Sequence, residues 1–270
     1  MKRSPTFLIG CVLVALVCAV AVVSLFWLPY DPSDTSGGRL VPPGGAHWLG
    51  TDKLGRDLLS RLMVGARIAL TVGFGSVLVG GVLGVAAGLL AGFATRWLDD
   101  TISAVLDILI AFPTLLLAML VVAVRQASLG SAVLAIGLAM SAIVARLTRV
   151  LVKRVLAQDY ITASRTSGTS WPRVVTEHVL PNIWPTLLVN LALQLGLAVL
   201  AEASLSYLGL GPPPPNASWG RLLQEAQATV LTAPTGAIAP GVLLVVLVVG
   251  VNLVADGFRD LADPTRRRSR

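Results

Sequence analysis

The chain has 270 residues, of which 55% are hydrophobic and only 13% are charged, and its formal net charge is +7. Soluble domains carry about a quarter charged residues, so this composition excludes a soluble globular protein and indicates an integral membrane protein. The two cysteines and two histidines lack the spacing of metal ligands, so no metal site is expected.

Six apolar stretches are candidate membrane crossings, because a bilayer crossing needs about 20 apolar residues. They are Phe7–Leu28, Ile68–Phe93, Thr101–Val124, Leu129–Val150, Pro185–Leu208 and Ile238–Val254. The first stretch is too long for a signal-peptide core and lacks a small-residue cleavage site, so we expect it to be retained. The sequence therefore predicts an all-α membrane protein with six transmembrane helices and both termini on one side.

A charged segment separates the first two crossings. In it, Leu54, Leu58 and Leu62 recur every four residues. This spacing predicts a short amphipathic helix along the membrane surface, with Asp52 as its N-cap.

The second and third crossings contain two unusual patterns. Small residues recur at every fourth position of the second crossing, which predicts either tight static packing or a sliding helix contact; these residues are Ser76, Gly80, Gly84, Gly88 and Gly92. Asp107 lies inside the third crossing, where a carboxylate is costly. It is either a proton relay or, as we favour, the partner of a basic residue near the cytoplasmic face. Pro113 predicts a kink in the same helix.

The segment Gln158–Asn182 is a polar, basic interruption between two apolar crossings. Gly168 predicts a sharp turn between two short helices. Ser170 is expected to cap the second helix, His178 lies on its apolar face, and Leu180-Pro181 is expected to end it. On physical grounds alone, this segment is either a docking surface for another protein or an ordinary ordered loop.

The fifth crossing carries three polar residues. Asn190 and Gln194 share one helix face at i, i+4, where they could line a path for polar cargo or hold helices together. Glu202 lies near the outer end, as an interfacial carboxylate capped by local groups or as part of a gate.

Cationic residues predict the orientation, because cytoplasmic segments are enriched in lysine and arginine. With the N-terminus in the cytoplasm, 14 of the 21 lysines and arginines lie inside and 7 lie outside. The positive charge is thus a topology signal and requires no nucleic acid. The segment Gln158–Asn182 and the basic tail then face the cytoplasm.

Several motifs resemble those of ABC importer permeases. Ala163, Gly168 and the ending Val179-Leu180-Pro181-Asn182 resemble the "EAA" loop of that family, although Thr162-Ala163-Ser164 replaces its acidic-Ala-Ala triplet. The stretches "GTDKLGRDLLSRLMVGARIAL", "AFP", "AEASLSYLGLGPPPPNASWG" and "DGFRDLADP" resemble C-type permeases of dipeptide, oligopeptide and nickel importers. The resemblance covers nearly the whole chain.

The resemblance implies a type I ABC importer permease fold in the bacterial cytoplasmic membrane. It implies a homologous B-type permease, two ABC ATPase subunits and an extracytoplasmic substrate-binding protein as partners. The coupling loop would include the triplet, Gly168, Ser170, His178, Leu180 and Pro181. The chain would bind no cofactor itself, since ATP and Mg²⁺ belong to the ATPase subunits, and it would not be an enzyme.

The sequence alone leaves one alternative open. No phosphate-binding loop G-x-x-x-x-G-K-[ST] occurs, so energy comes from another subunit or from an ion gradient. A stand-alone ion-coupled transporter would use Asp107 and Glu202. For the importer permease we expect three parts: residues 1–66 with the first helix and an extracytoplasmic segment, a five-helix core at 67–258 with the coupling loop at 150–184, and a basic tail at 259–270.

Overall fold

A computed structural model describes residues 5–213 and 216–262. Ten α-helices account for most of this part of the chain, which contains no β-strand. They are α1 (Pro5–Phe26), α2 (Leu58–Phe93), α3 (Arg96–Ala111), α4 (Thr114–Arg125), α5 (Leu129–Leu156), α6 (Asp159–Thr166), α7 (Trp171–Val174), α8 (Leu180–Tyr207), α9 (Trp219–Ala226) and α10 (Thr235–Ala262). The all-α prediction is confirmed. Most of the predicted basic tail lies outside the described residues.

The third predicted crossing is two helices rather than one. α3 and α4 meet at an angle of 91°, and Phe112, between them, has an extended backbone with ψ 131°. A proline disfavours helical geometry in the residue before it, and Pro113 follows Phe112. The predicted disruption at Pro113 is therefore confirmed, but the single kinked helix is wrong.

The packing of α2 on α5 shows that the bent pair crosses the bundle. A Cβ atom on Gly80 would lie 2.9 Å from the Gly137 carbonyl oxygen, and one on Gly92 would lie 2.5 Å from Val152 Cγ1. The earlier residue of α2 contacts the earlier residue of α5, and the later residue contacts the later one, so α2 and α5 run parallel. Because α2 ends where α5 also ends, the pair α3–α4 must lead the chain back to the opposite end, where α5 begins. The bent pair thus counts as one crossing, and the total is the six that were predicted.

The two termini lie at one end of the bundle, because α1 and α10 pack antiparallel. The rings of Phe7 and Phe258 meet edge to face at 5.7 Å. Three residues further along α1, a Cβ atom on Gly10 would lie 2.8 Å from Leu253 Cβ. The start of α1 thus faces the end of α10, and the segment between α5 and α8 lies at this same end.

The segment before α2 differs from its prediction. Leu58 and Leu62 are buried in the long helix α2, whose N-cap is Asp57. The Asp57 carboxylate accepts hydrogen bonds from the backbone N–H and the hydroxyl of Ser60, both at 2.8 Å. The predicted surface helix capped by Asp52 is therefore wrong. The helix begins at the residue after Asp57, because the Asp57 side chain can accept a hydrogen bond from the free N–H of the first turn. Asp52 has a different role.

Asp52 belongs to a buried ion network that connects this segment to α9. Arg61, only 2% exposed, donates to Asp52 at 2.6 Å and to Glu225 at 2.7 Å. Arg56 bridges the same two carboxylates, at 2.7 Å each. The pKa of Glu225 lies below its ordinary value. Burial alone would raise this pKa, but the hydrogen bond and charge of Arg61, together with Arg56 and Arg221, outweigh the effect of burial. We call Asp52, Arg56, Arg61, Arg221 and Glu225 the α2–α9 ion network.

Candidate functional site

The segment between α5 and α8 forms a compact hairpin of α6 and α7, which we call the knob (residues 157–180). Gly168, with φ +88°, lies at the turn. The backbone N–H of Gly168 donates to the carbonyl oxygen of Arg165 at 3.0 Å, and the N–H of Thr169 donates to the carbonyl oxygen of Ser164 at 3.2 Å. This pattern satisfies the last carbonyls of α6 and requires a left-handed residue. The predicted turn at Gly168 is confirmed.

The inner face of the knob is apolar and packs against the bundle. Ile161, Val174 and Val179 are at most 3% exposed, and they share one core cluster with Val152 of α5 and Ile183 of α8. This cluster joins the knob to the ends of two crossings.

Polar contacts fix the two arms of the knob to each other. The Ser164 hydroxyl donates to Thr169 Oγ1 at 3.0 Å and lies 3.2 Å from Nε2 of His178. Tyr160 stacks edge to face on His178 at 6.0 Å. The structure thus brings together two of the predicted site residues, Ser164 and His178, and places His178 inside the knob.

An aromatic–cation contact that sequence reasoning missed completes the knob. The Arg165 guanidinium lies 4.3 Å from the ring centroid of Trp171 and donates to the Thr169 carbonyl. Trp171 in turn meets Phe93, the last residue of α2, at 5.5 Å. The sequence does place an arginine and a tryptophan on either side of the turn at Gly168. The stacking of the two side chains, however, depends on the geometry of that turn.

The outer face of the knob is exposed and small. Thr162, Ala163 and Gly168 are exposed, and so is Pro181, just after the knob. Ser170 occupies the N-cap position as predicted, but its side chain makes no capping hydrogen bond. The knob therefore has no bulky side chain at Ala163, whereas Tyr160 and Trp171 elsewhere on it are 45% and 47% exposed.

The predicted stop at Leu180-Pro181 is wrong. A π-helical turn, Val175–Val179, leads directly into α8. The N–H of Leu180 donates to the Val175 carbonyl, five residues back, and Pro181 has no N–H to offer. A proline is tolerated in the first turn of a helix, so α7, the π-turn and α8 form one continuous helical path.

The carboxylates of α3 pair with cations of α5. Asp107 lies 3.3 Å from Arg146, which confirms the predicted ion pair, and both side chains are 60% exposed. Sequence reasoning missed Asp99, which is only 7% exposed and accepts from Arg149 at 2.5 Å and from Lys153. Asp99 fixes the start of α3 to the end of α5, one helical turn before the knob.

The three polar residues of the fifth crossing lie on α8, where Asn190 and Gln194 share one face and Glu202 lies further along the helix. Asn190 Oδ1, Gln194 Oε1 and Glu202 Oε2 are buried and accept no hydrogen bond from any described residue. The other oxygen of Glu202 accepts from the Ser206 hydroxyl at 2.6 Å, as expected for a locally capped carboxylate. Buried acceptors without donors are costly, so these three residues are candidates for contact with cargo, water or another subunit.

Comparison with known proteins identifies this arrangement. Residues 84–268 match the family described as "Binding-protein-dependent transport system inner membrane component". The chain belongs to this family. The match includes the end of α2, the knob, and all helices from α3 to α10, so the resemblance to ABC importer permeases is confirmed.

Relatives of this family cover almost the whole chain. It is 34% identical to the dipeptide transport system permease protein DppC of Alkalihalophilus pseudofirmus, over 98% of this chain and 87% of that protein. It is 38% identical to the glutathione transport system permease protein GsiD of Pectobacterium atrosepticum (93% and 84% covered). It is 37% identical to the nickel transport system permease protein NikC of Escherichia coli K12 (94% and 92% covered).

Solved structures of related transporters have the same fold. The MetNI methionine ABC transporter, in an inward-facing conformation, matches with a TM-score of 0.63 at 22% identity, over 75% of this chain and 96% of that one. The predicted ABC importer permease fold is thus confirmed. The chain is a multi-pass membrane transport permease.

Proposed function

We propose that this permease conducts cargo for an ATP-driven importer in the bacterial cytoplasmic membrane, with the knob as its contact to separate ATPase subunits. The observation that carries this proposal is the knob itself. It is tied rigidly to α2, α5 and α8 on its inner face, while Thr162 and Ala163 on its outer face are exposed. A rigid body with one free face transmits the movement of a partner to the helices behind it.

The proposed partners complete an importer. They are a homologous B-type permease, two ABC ATPase subunits and an extracytoplasmic substrate-binding protein. ATP and Mg²⁺ would bind to the ATPase subunits, so this chain is neither an enzyme nor the holder of a cofactor. The knob and both termini would face the cytoplasm, in agreement with the distribution of lysine and arginine.

The proposed cargo is a dipeptide, an oligopeptide or a related small solute. The support is the set of relatives, which are named for dipeptide, glutathione and nickel transport. The buried acceptors of Asn190, Gln194 and Glu202 on α8 would contribute to the path or gate, because a polar solute supplies the donors they lack.

The coupling role is tested by two substitutions at the knob. Ala163→Trp places a bulky side chain on the outer face, and Gly168→Pro is incompatible with φ +88°. Both are expected to abolish uptake of labelled dialanine by cells while leaving membrane insertion intact. Ala163→Ser is the matched control and should retain uptake. Normal uptake in both variants would disprove coupling through the knob.

A further inference from the structure

A cavity of about 490 Å³ lies at the end of the bundle opposite the knob. Its walls include the chain just after α1, the first turns of α2 and the start of α5. Ligand pockets for small organic molecules typically measure about 300–1,000 Å³, so a dipeptide fits this volume. Leu28, Val64 and Ile68 supply apolar wall.

Arg67 lies in this cavity and stands apart from the other arginines nearby. Arg56, Arg61 and Arg221 all pair with carboxylates, whereas no described residue forms an ion pair or hydrogen bond with the half-buried Arg67. An ionisable side chain in a membrane helix that lacks a partner marks a functional site by default. A planar guanidinium in an apolar wall is suited to a carboxylate, which it can bind through two parallel hydrogen bonds.

An acidic residue lines the same cavity without neutralising Arg67. Asp31 accepts a hydrogen bond from the Ser33 N–H at 2.7 Å through Oδ1, and it forms no ion pair with any described cation. The cavity thus holds one positive and one negative group that do not meet. The hydroxyl of Thr71 lies one helical turn beyond Arg67 and adds a neutral hydrogen-bonding group.

We infer that this cavity is an entry site for zwitterionic peptide cargo, in which Arg67 binds the carboxylate and Asp31 faces the ammonium group. The inference rests on the proposed import function and names its substrate class. Opposite charges held apart favour a ligand that carries both charges over a simple anion, which Asp31 repels. A zwitterionic phospholipid headgroup has the same pairing of charges, and the experiment separates these two sources.

The test is equilibrium binding of ¹⁴C-labelled dialanine to the purified complex of permeases and ATPases without the binding protein. Arg67→Gln is expected to weaken binding by about tenfold or more, because a charge-assisted contact is lost. Arg67→Lys keeps the charge and should recover part of the affinity. Arg39→Gln changes an exposed arginine of the same outer segment and is the matched control, with affinity unchanged. Gel filtration of each complex establishes that it is assembled.

Competitors report which group is recognised. Dialanine amide lacks the carboxylate and should compete about tenfold less well than dialanine on the wild type, but equally well on Arg67→Gln. N-acetyl-dialanine lacks the ammonium group and should compete less well than dialanine on the wild type. This difference between the two competitors should disappear in Asp31→Asn. These changes in preference are not expected from a purely structural role of either residue.

In the binding experiment, three results would overturn the inference: no binding of dialanine to the wild-type complex, equal affinity in Arg67→Gln, or stronger displacement by glycerophosphoethanolamine than by unlabelled dialanine. The last result would assign the cavity to lipid. The proposed function is judged separately, by ATP-dependent uptake in cells. Uptake that proceeds normally with Arg67→Gln would refute the entry site and leave the importer intact.

Discussion

The two ends of the bundle are held by different interactions. At one end, the α2–α9 ion network connects residues more than 160 positions apart through buried charges. At the other end, the knob packs on an apolar cluster with α2, α5 and α8, and its two arms are joined by hydrogen bonds of Ser164 and by the contact of Arg165 with Trp171. The knob contacts the helices behind it through apolar side chains, whereas the network joins distant segments through buried charges. We therefore expect the end with the ion network to be a fixed frame, and the knob with the helices that it contacts to be the part that moves.

The largest expected effect is the loss of a charge from the frame. Arg61→Ala removes the buried cation that bridges Asp52 and Glu225. Two buried carboxylates then keep only Arg56 and Arg221, and breaking a buried pair costs about 3–5 kcal/mol. We expect a clear fall in the thermal unfolding midpoint of the purified complex, measured by tryptophan fluorescence. An unchanged midpoint would show that the ion network does not stabilise the frame.

A smaller effect is expected at the turn of the knob. Gly168→Ala introduces a Cβ atom at φ +88°, which costs about 1–2 kcal/mol for a residue other than glycine. Nothing lies within 4 Å of the new atom, so the cost comes from the backbone alone. Uptake should fall while the complex stays assembled. Gly45→Ala, at another glycine with open space and no positive φ, is the control and should leave uptake unchanged.

Acid should weaken the frame before it weakens the knob. The pKa of Glu225 is lowered in the folded protein by its arginine partners, despite burial. The Glu225 carboxylate therefore binds a proton more readily in the unfolded chain than in the folded one. The stability that this carboxylate contributes is fully present above the ordinary glutamate pKa of about 4.3. It is lost as the pH falls below that value through the lower pKa of the folded state. Glu225→Gln should reduce this acid dependence in unfolding experiments between pH 7 and pH 3; an identical dependence in both proteins would contradict it.

The smallest effect is expected for a surface ion pair of the knob. Arg173 and Glu177 pair at 2.7 Å, but their side chains are 67% and 49% exposed. Exposed pairs of this kind contribute about 0.3–0.5 kcal/mol. Arg173→Ala should therefore leave the unfolding midpoint almost unchanged, in contrast to Arg61→Ala. A large loss of stability would mean that the knob, too, depends on charge.

The sequence predicted what local patterns determine. Apolar length gave the six crossings, and Gly168 gave the turn of the knob, because only a left-handed residue closes α6 in this way. The ion pair of Asp107 was also predicted, since a carboxylate in a crossing needs a cation. The three-part division of the chain, with its coupling loop at 150–184, stays a prediction.

The remainder depended on tertiary contacts that no spacing reveals. Asp52 has the properties of an N-cap, yet it binds Arg56 and Arg61, and it shares both cations with Glu225, which lies 173 positions later. Leu180-Pro181 reads as a stop, but the π-turn before it lets the helix continue. The angle of 91° at Pro113 exceeds an ordinary kink, and nothing in the sequence sets its size.

The central claim is that the outer face of the knob is the contact to an ATPase. The most direct test is to purify the full chain through a C-terminal tag from its native host and identify bound proteins by mass spectrometry. We predict a second permease and ATPases with the phosphate-binding loop that this chain lacks, with the ATPases lost and the second permease retained in Ala163→Trp. ATPases that are recovered equally with the wild type and with Ala163→Trp, or a chain that purifies alone, would contradict the account.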